Sequence, residues 1–246
     1  MNTKIVNYIY VNGLLLAGGA LTYALMLSNI LCKMLAMYAK NIFLANALYY
    51  TKRHTPYTQK GIRDSTHNTY YLIQSAVYDT LAFQCLLSLS VERTHIYDIL
   101  LFIPLSFLYE VVFDLFHYIS HRCMHSSSFY KFHAVHHSTI LLDPWKALYQ
   151  SPVDLLLTNL APLVLTSLLI PVSPQFLCVF MWYKSLVEMG GHSGKLTRAS
   201  SFPQCIWLPR VLRIELKAQD HELHHIYPHK HFSKRFSLWD KVFGTD

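Results

Sequence analysis

The stretch Asp114–His137 reads DLFHYISHRCMHSSSFYKFHAVHH and carries six histidines: His117, His121, His125, His133, His136 and His137. The first three are spaced i, i+4, i+8, and the last three form H-x-x-H-H. The second spacing returns near the other end of the chain in DHELHH, as His221, His224 and His225. Residues three and four apart share one face of a helix, so each box points two or three imidazoles into one small space. Neutral imidazole binds zinc, copper, iron and nickel. Solvated surface histidines are the alternative, but three clusters at ligand spacing are too many for composition alone. The two regions are expected to fold together around metal.

Working outward from the first box, the only proline between Ile103 and His125 is Pro104, and there is no glycine. Leu105 to His125 is therefore predicted as one helix. At about 100° per residue, Glu110, Asp114, His117, His121 and His125 fall within an arc of roughly 80°. One polar stripe thus runs down a membrane span and out of it. Asp114 sits three residues before His117, in reach to accept an imidazole N–H and fix its tautomer. Glu110 and Asp114 also fit an ordinary intramembrane polar network.

The 246 residues are 52% hydrophobic and only 14% charged, where soluble domains average about 25% charged. That shortfall points to a membrane. The formal net charge of +7 reads as the positive-inside excess of a membrane protein. Binding to nucleic acid is not expected, since no basic–aromatic motif accompanies the charge. Five scattered cysteines with no C-x-x-C read as reduced thiols.

Ile5 to Cys32 is uncharged and exceeds the roughly 20 residues a spanning helix needs, so it is read as a retained span rather than a signal peptide. Met34 to Tyr50, broken by Lys40, is either an interfacial helix or one packed on the bundle. Lys52, Arg53, Lys60 and Arg63 against Asp64 form a basic loop. Tyr70 to Ser90, interrupted by Asp79, is a second span; Glu92 and Arg93 mark a turn before the third, Ile96 to Phe116. Leu155 to Tyr183 is uncharged and divided by Pro171 and Pro174, which suggests a hairpin. Histidines before and after it must share one site, so it returns to the side it left. Placing both basic regions in the cytoplasm puts the amino terminus outside. The expected fold is all-α: an integral membrane helical bundle of three spans plus a returning hairpin, with a cytoplasmic histidine-rich helical cap. Residues 1–95 would hold the first spans and the basic loop, and residues 96–246 the histidine boxes.

Further on, EMGGHSG places Glu188 and His192 at i, i+4, although Gly190 and Gly191 make a helix there doubtful. His192 is a ligand candidate by its company. Asp220 and Glu222 are carboxylates that would support the third box or simply face solvent, as would Glu188 beside His192. His229 and His231 follow a proline, out of helical register, and stay unassigned. The tail FSLWDKVFGTD reads as an amphipathic cap.

The stretches HRCMH, FHAVHH, EMGGHSG, DHELHH and LWDKVFGT resemble the fatty acid hydroxylase superfamily of membrane di-iron enzymes, in particular its sterol-modifying branch of cholesterol 25-hydroxylase and C4-methylsterol oxidase. The resemblance runs from about Asp114 to the end. It implies metal ligands at His121 and His125, at His133, His136 and His137, at His221, His224 and His225, and at His192 in the HSG element. His117 is extra relative to some members, and His231 stands where many have asparagine. The resemblance further implies two iron ions, with zinc able to substitute, molecular oxygen as oxidant, and electrons from a reductase or a cytochrome b5-type partner. It implies a membrane lipid as substrate, a sterol first, and the endoplasmic reticulum as location. Trp145, Tyr149, Trp182 and Tyr183 are candidates for the walls of the substrate site or for interface packing. A desaturase or an acyl or sphingoid hydroxylase would use the same ligands. A metal transporter would instead string its histidines through several spans.

Overall fold

The computed structural model describes residues 3–59, 68–92, 100–196 and 200–246. Lys60, Arg63, Asp64 and Arg93, which the sequence places in the basic loop and the second turn, lie outside them. The described residues are mostly helical and contain no strand beyond isolated bridges. The long helices are α1 (Thr3–Ala24), α2 (Ile30–Thr51), α3 (Thr69–Ser88), α4 (Phe102–Met124), α5 (Pro152–Leu169) and α6 (Pro174–Gly191). Two short ones follow, α7 (Ala218–Ile226) and α8 (Leu238–Phe243). Among the described residues, Ile5–Ala24, Phe102–Met124 and Pro152–Leu169 are long and apolar enough to cross a membrane.

Helix α6 is the hub. It packs against α1, α2, α3, α7 and the short turn Pro144–Leu148, while α4 packs on α5 and α8. One core joins α3, α4, α5 and α6 through Phe83, Tyr109, Phe113, Leu163, Phe176 and Phe180. A second, around Leu15, Leu44, Leu72, Trp145 and Tyr183, locks α1 and α2 onto α6. At the α1–α6 crossing a Cβ on Gly19 would lie 2.6 Å from Val179 Cγ2, and one on Gly18 would overlap the Trp182 indole. Only glycine allows that approach, the small-residue contact typical of helices in lipid. Trp182 then donates to Thr22 at 3.0 Å.

Several expectations need correction. The first span ends at Ala24 rather than Cys32, because the chain turns at Leu25–Asn29, where Asn29 caps the returning helix by accepting from the Cys32 amide at 2.9 Å. The open choice for Met34–Tyr50 resolves as α2, a full-length helix packed on the bundle. Its buried Lys40 pairs with Asp79 of α3 at 3.0 Å and with Ser185 of α6 at 2.8 Å, which reconciles both charges with the interior. Because α2 returns, the start of α1 lies at the same end of the bundle as the histidines: Tyr8 and Asn12 donate to Gln204 and Pro203 carbonyls there. The expected opposite placement of the amino terminus fails on this extra antiparallel helix. Tyr70–Ser90 does form α3, but the first arm of the hairpin, not α3, is the third strongly apolar helix. The hairpin itself is present, turning at Pro171–Ser173. Helix α6 also continues through Gly190 and Gly191 and ends on His192, where the sequence argued against a helix.

Candidate metal centre

Helix α4 carries His121 near its end and stops on His125. The second box is not a long helix: Tyr130–His133 makes one helical turn and His136–Ser138 a 3-10 turn. These two turns still direct His133, His136 and His137 inward, opposite His221, His224 and His225 on α7 and His192 at the end of α6. Nine imidazoles form two adjoining groups. His121, His125, His133, His137 and His224 offer ligand atoms within 4.8 Å of one another, as do His136, His192, His221 and His225. The groups touch where His137 stacks on His225, with ring centroids 4.5 Å apart.

The outer ring nitrogens are tied back. Nδ1 of His121, His136, His192 and His224 donates to the carbonyls of Phe232 (2.9 Å), Tyr149 (3.3 Å), Glu188 (2.8 Å) and Lys230 (2.6 Å). His133 Nδ1 donates to Asp154 at 2.9 Å. A carbonyl can only accept, so these rings carry their proton on Nδ1 and turn a bare Nε2 lone pair inward. Yet His121 Nε2 lies 3.0 Å from His133 Nε2, and His136 Nε2 3.2 Å from His192 Nε2. Two unprotonated nitrogens cannot hydrogen-bond to each other. A cation between them resolves the contact: with metal–nitrogen bonds of about 2.0–2.1 Å, neighbouring ligand nitrogens sit roughly 3.0–3.4 Å apart. Nε2 of His125, His137 and His224 is buried with no hydrogen-bond partner. The donor set fits metal, and an all-imidazole set suits iron or zinc alike.

Electrostatics agree. Burial, reinforced by the neighbouring imidazoles, pushes His125 down to about 3 and holds His136, His221, His224 and His225 well below the ordinary 6.5. Burial also lowers His192 to about 4. The rings are neutral at physiological pH, the form that ligates metal.

The remaining candidates fall outside the two groups. His117 is one turn away, its Nδ1 donating to the Thr158 carbonyl at 2.6 Å. That carbonyl is available because Pro162, four residues on, has no N–H to offer it. Asp114 does not hold His117. It accepts from the amides of Lys234 (2.7 Å), Arg235 (3.0 Å) and Phe236 (2.9 Å). Glu188 reaches His192 through its backbone carbonyl, while its carboxylate pairs with Lys184 (2.7 Å) and Lys234 (3.0 Å). Asp220 accepts from the Lys217 amide at the start of α7 and touches no histidine. His231 has φ of 55°, a left-handed conformation that asparagine also adopts readily.

The sequence reading missed Asp154, a buried carboxylate hydrogen-bonded to the clustered imidazole of His133. A signal existed: an aspartate opening an apolar run demands a partner. Also missed was the strap of residues 230–236. Asp240 of α8 takes the amides of Phe232 (2.8 Å) and Ser233 (3.1 Å), and Asp114 takes the next three. Five consecutive amides are thus held by two buried carboxylates, and the strap supplies the carbonyls that orient His121 and His224.

Beside the two groups lies a cavity of about 630 Å³, which His121, His136, His192 and His221 help to line. Leu15, Leu44 and Leu48 of α1 and α2 give it apolar walls. Of the aromatics considered for those walls, Trp145 and Tyr183 sit in the core, Trp182 packs on Gly18 and Tyr149 stacks on Tyr71. None of the four lines the cavity.

Residues 106–245 match the family model described as fatty acid hydroxylase, more than half of the chain. The chain belongs to the fatty acid hydroxylase family. Among curated relatives of this family, it is 29% identical to the fatty acid hydroxylase vlmA of a Lecanicillium species, over 56% of this chain and 40% of the relative. It is 31% identical to sphinganine C4-monooxygenase 1 of Arabidopsis thaliana, over 55% and 51%. It is 28% identical to the C-4 methylsterol oxidase of Schizosaccharomyces pombe, over 74% and 59%. The chain therefore spans about half the length of the curated relatives it matches. No solved structure matches it.

Proposed function

We propose that this fatty acid hydroxylase family member is a membrane-bound non-haem di-iron oxygenase that hydroxylates a lipid, a sterol first. His121, His125, His133, His137 and His224 would hold one metal, and His136, His192, His221 and His225 the other. The observation that carries the reading is the double group of inward lone pairs beside a largely apolar cavity. Family membership and relatives named as lipid monooxygenases and oxidases support it.

The chemistry such irons supply, once bound, is activation of molecular oxygen for attack on an unactivated C–H bond. The chain's own part is binding and exclusion. Asp154 and the four backbone carbonyls hold the rings in the ligating tautomer. The apolar walls take a lipid from the bilayer and keep water out. Gly190 and Gly191 line the cavity next to His192, and apart from their chain neighbours and their own helix backbone no atom lies within 4 Å of where their Cβ would be, so a substrate can approach closely there. Electrons would come from a reductase or cytochrome b5-type partner. The histidine end would face the cytoplasm, with the endoplasmic reticulum as the expected membrane.

A sphingoid or fatty-acyl hydroxylase is the second reading, favoured by the sphinganine monooxygenase and vlmA matches. Metal transport is disfavoured, because the histidines gather at one end of the bundle instead of along it. The test is expression in sterol-containing membranes, with a reductase, followed by mass spectrometry of sterols and acyl lipids. A sterol product heavier by one oxygen atom, absent without molecular oxygen, supports the reading. A hydroxylated or desaturated acyl chain keeps the chemistry and changes the substrate, and unchanged lipids with an iron-loaded protein and reductase overturn it.

A further inference from the structure

The cavity that the histidines line also carries two hydroxyls with nothing to bind. Ser193 is 3% exposed and Ser201 9% exposed; both line the cavity, and neither Oγ has a hydrogen-bond partner. Other polar side chains lining the cavity are occupied. Asn12 donates to the Tyr8 and Pro203 carbonyls and accepts from Tyr183. Thr158 donates to Asp154, Ser200 accepts from the Phe202 amide, and Gln150 accepts from Asn159. A buried serine ordinarily satisfies itself on a nearby carbonyl, and leaving it unmade is costly.

We propose that Ser193 and Ser201 form a polar subsite for a neutral hydroxyl on the lipid, a few bonds from the carbon placed at the histidines. This deepens the oxygenase reading and rests on it for the identity of the substrate as a lipid. The chemistry matches on both sides. A serine hydroxyl donates one hydrogen bond and accepts others, and so does an alcohol, so one serine takes the alcohol proton while the other donates to its oxygen. A bare methylene chain offers neither. Ser193 follows His192 directly in the chain, which places the subsite at the metal end of the cavity and not at its far wall. Leu15, Leu44 and Leu48 cover the remainder of the lipid. The site thus grips a lipid by a hydroxyl near the reacting carbon, and the apolar body follows. A sterol ring hydroxyl and a long-chain-base hydroxyl share this chemistry.

The test is equilibrium binding to the full chain in lipid nanodiscs, loaded with zinc so that no turnover intrudes. Two matched pairs are compared: cholestanol against cholestane, and sphinganine against 3-deoxysphinganine. The hydroxylated member of one pair is expected to bind about tenfold or more tightly than its deoxy partner, and which pair responds identifies the source. Ser193→Ala and Ser201→Ala should each reduce that preference several-fold while deoxy binding stays unchanged. Ser193→Cys, which keeps the volume and weakens the hydrogen bond, guards against a folding artefact and should fall between. Equal binding within both pairs, or a preference that survives both alanine substitutions, overturns the subsite. The oxygenase reading fails differently: a protein that discriminates the hydroxyl but never oxidises lipid with iron, oxygen and reductase keeps the subsite and loses the reaction.

Discussion

At the scale of single residues, the centre depends on where each imidazole keeps its proton. Asp154 is the clearest case, since its carboxylate accepts from His133 Nδ1 at 2.9 Å. Thr158 and the Ser151-capped turn hold that carboxylate in place: Thr158 Oγ1 donates to its Oδ1 at 3.0 Å, and the Asp154 amide donates to Ser151 Oγ at 3.1 Å. Asp154→Asn should weaken metal binding about 10- to 100-fold with helicity unchanged, measured by competition with a chelator. His136→Ala and His224→Ala each remove one proposed ligand, from different groups. Each should lower metal content and abolish lipid oxidation while the protein stays in the membrane. His229→Ala is the control: this side chain is exposed and outside both groups, so metal content and turnover should be unchanged.

At the scale of elements, the strap of residues 230–236 is as much a part of the centre as the helices. Its amides end on Asp114 and Asp240, and its carbonyls begin at His121 and His224. Asp114→Ala would strip three amides of their acceptor at once. It should cost about 3 kcal/mol or more of stability, read by thermal unfolding in detergent, and release metal with it. This coupling explains why Asp114 could be singled out from the sequence yet assigned to the wrong partner. Helical spacing reveals neighbours three and four residues away, so His117 was the visible candidate. The true partners lie some 120 positions along the chain and are backbone amides, which carry no residue signature. The α4 ladder and the three boxes were legible because their spacing is itself the signal. The one-turn geometry of the second box was not, since two short turns serve the ligands as well as a long helix.

The α1–α6 crossing is the second element-scale device. Gly19→Leu would drive its side chain into Val179 and should destabilise the protein by about 3 kcal/mol, or expel α1 from the bundle. Increased protease sensitivity of the first 24 residues in nanodiscs would report the latter, and an unaltered melting profile would show that the close contact carries no weight.

At the scale of the whole molecule, six antiparallel helices put both histidine groups and the cavity at one end. The start of α1, the end of α2 and the ends of α4 and α6 meet there, and the cavity opens among them. Outward-facing Ile9, Leu16, Leu21, Leu108, Leu165 and Leu168 give the bundle a lipid-facing surface. Membrane residence and helical class followed from low charge and long apolar runs. The placement of the amino terminus did not, because Lys40 leaves α2 open between an interfacial and a packed helix until Asp79 and Ser185 are seen to satisfy its ammonium. A lone buried lysine argues against a packed helix, and its partner lies 39 residues away.

The central claim is that two groups of histidines hold two irons that oxidise a lipid. The most direct measurement is iron content of the purified, iron-reconstituted protein, taken on the same sample as reductase- and oxygen-dependent lipid oxidation. The account expects about two irons per chain, reduced by one each in His136→Ala and His224→Ala, with oxidation lost in both. Full oxidation in either variant, or a reconstituted protein that binds no iron, would contradict it.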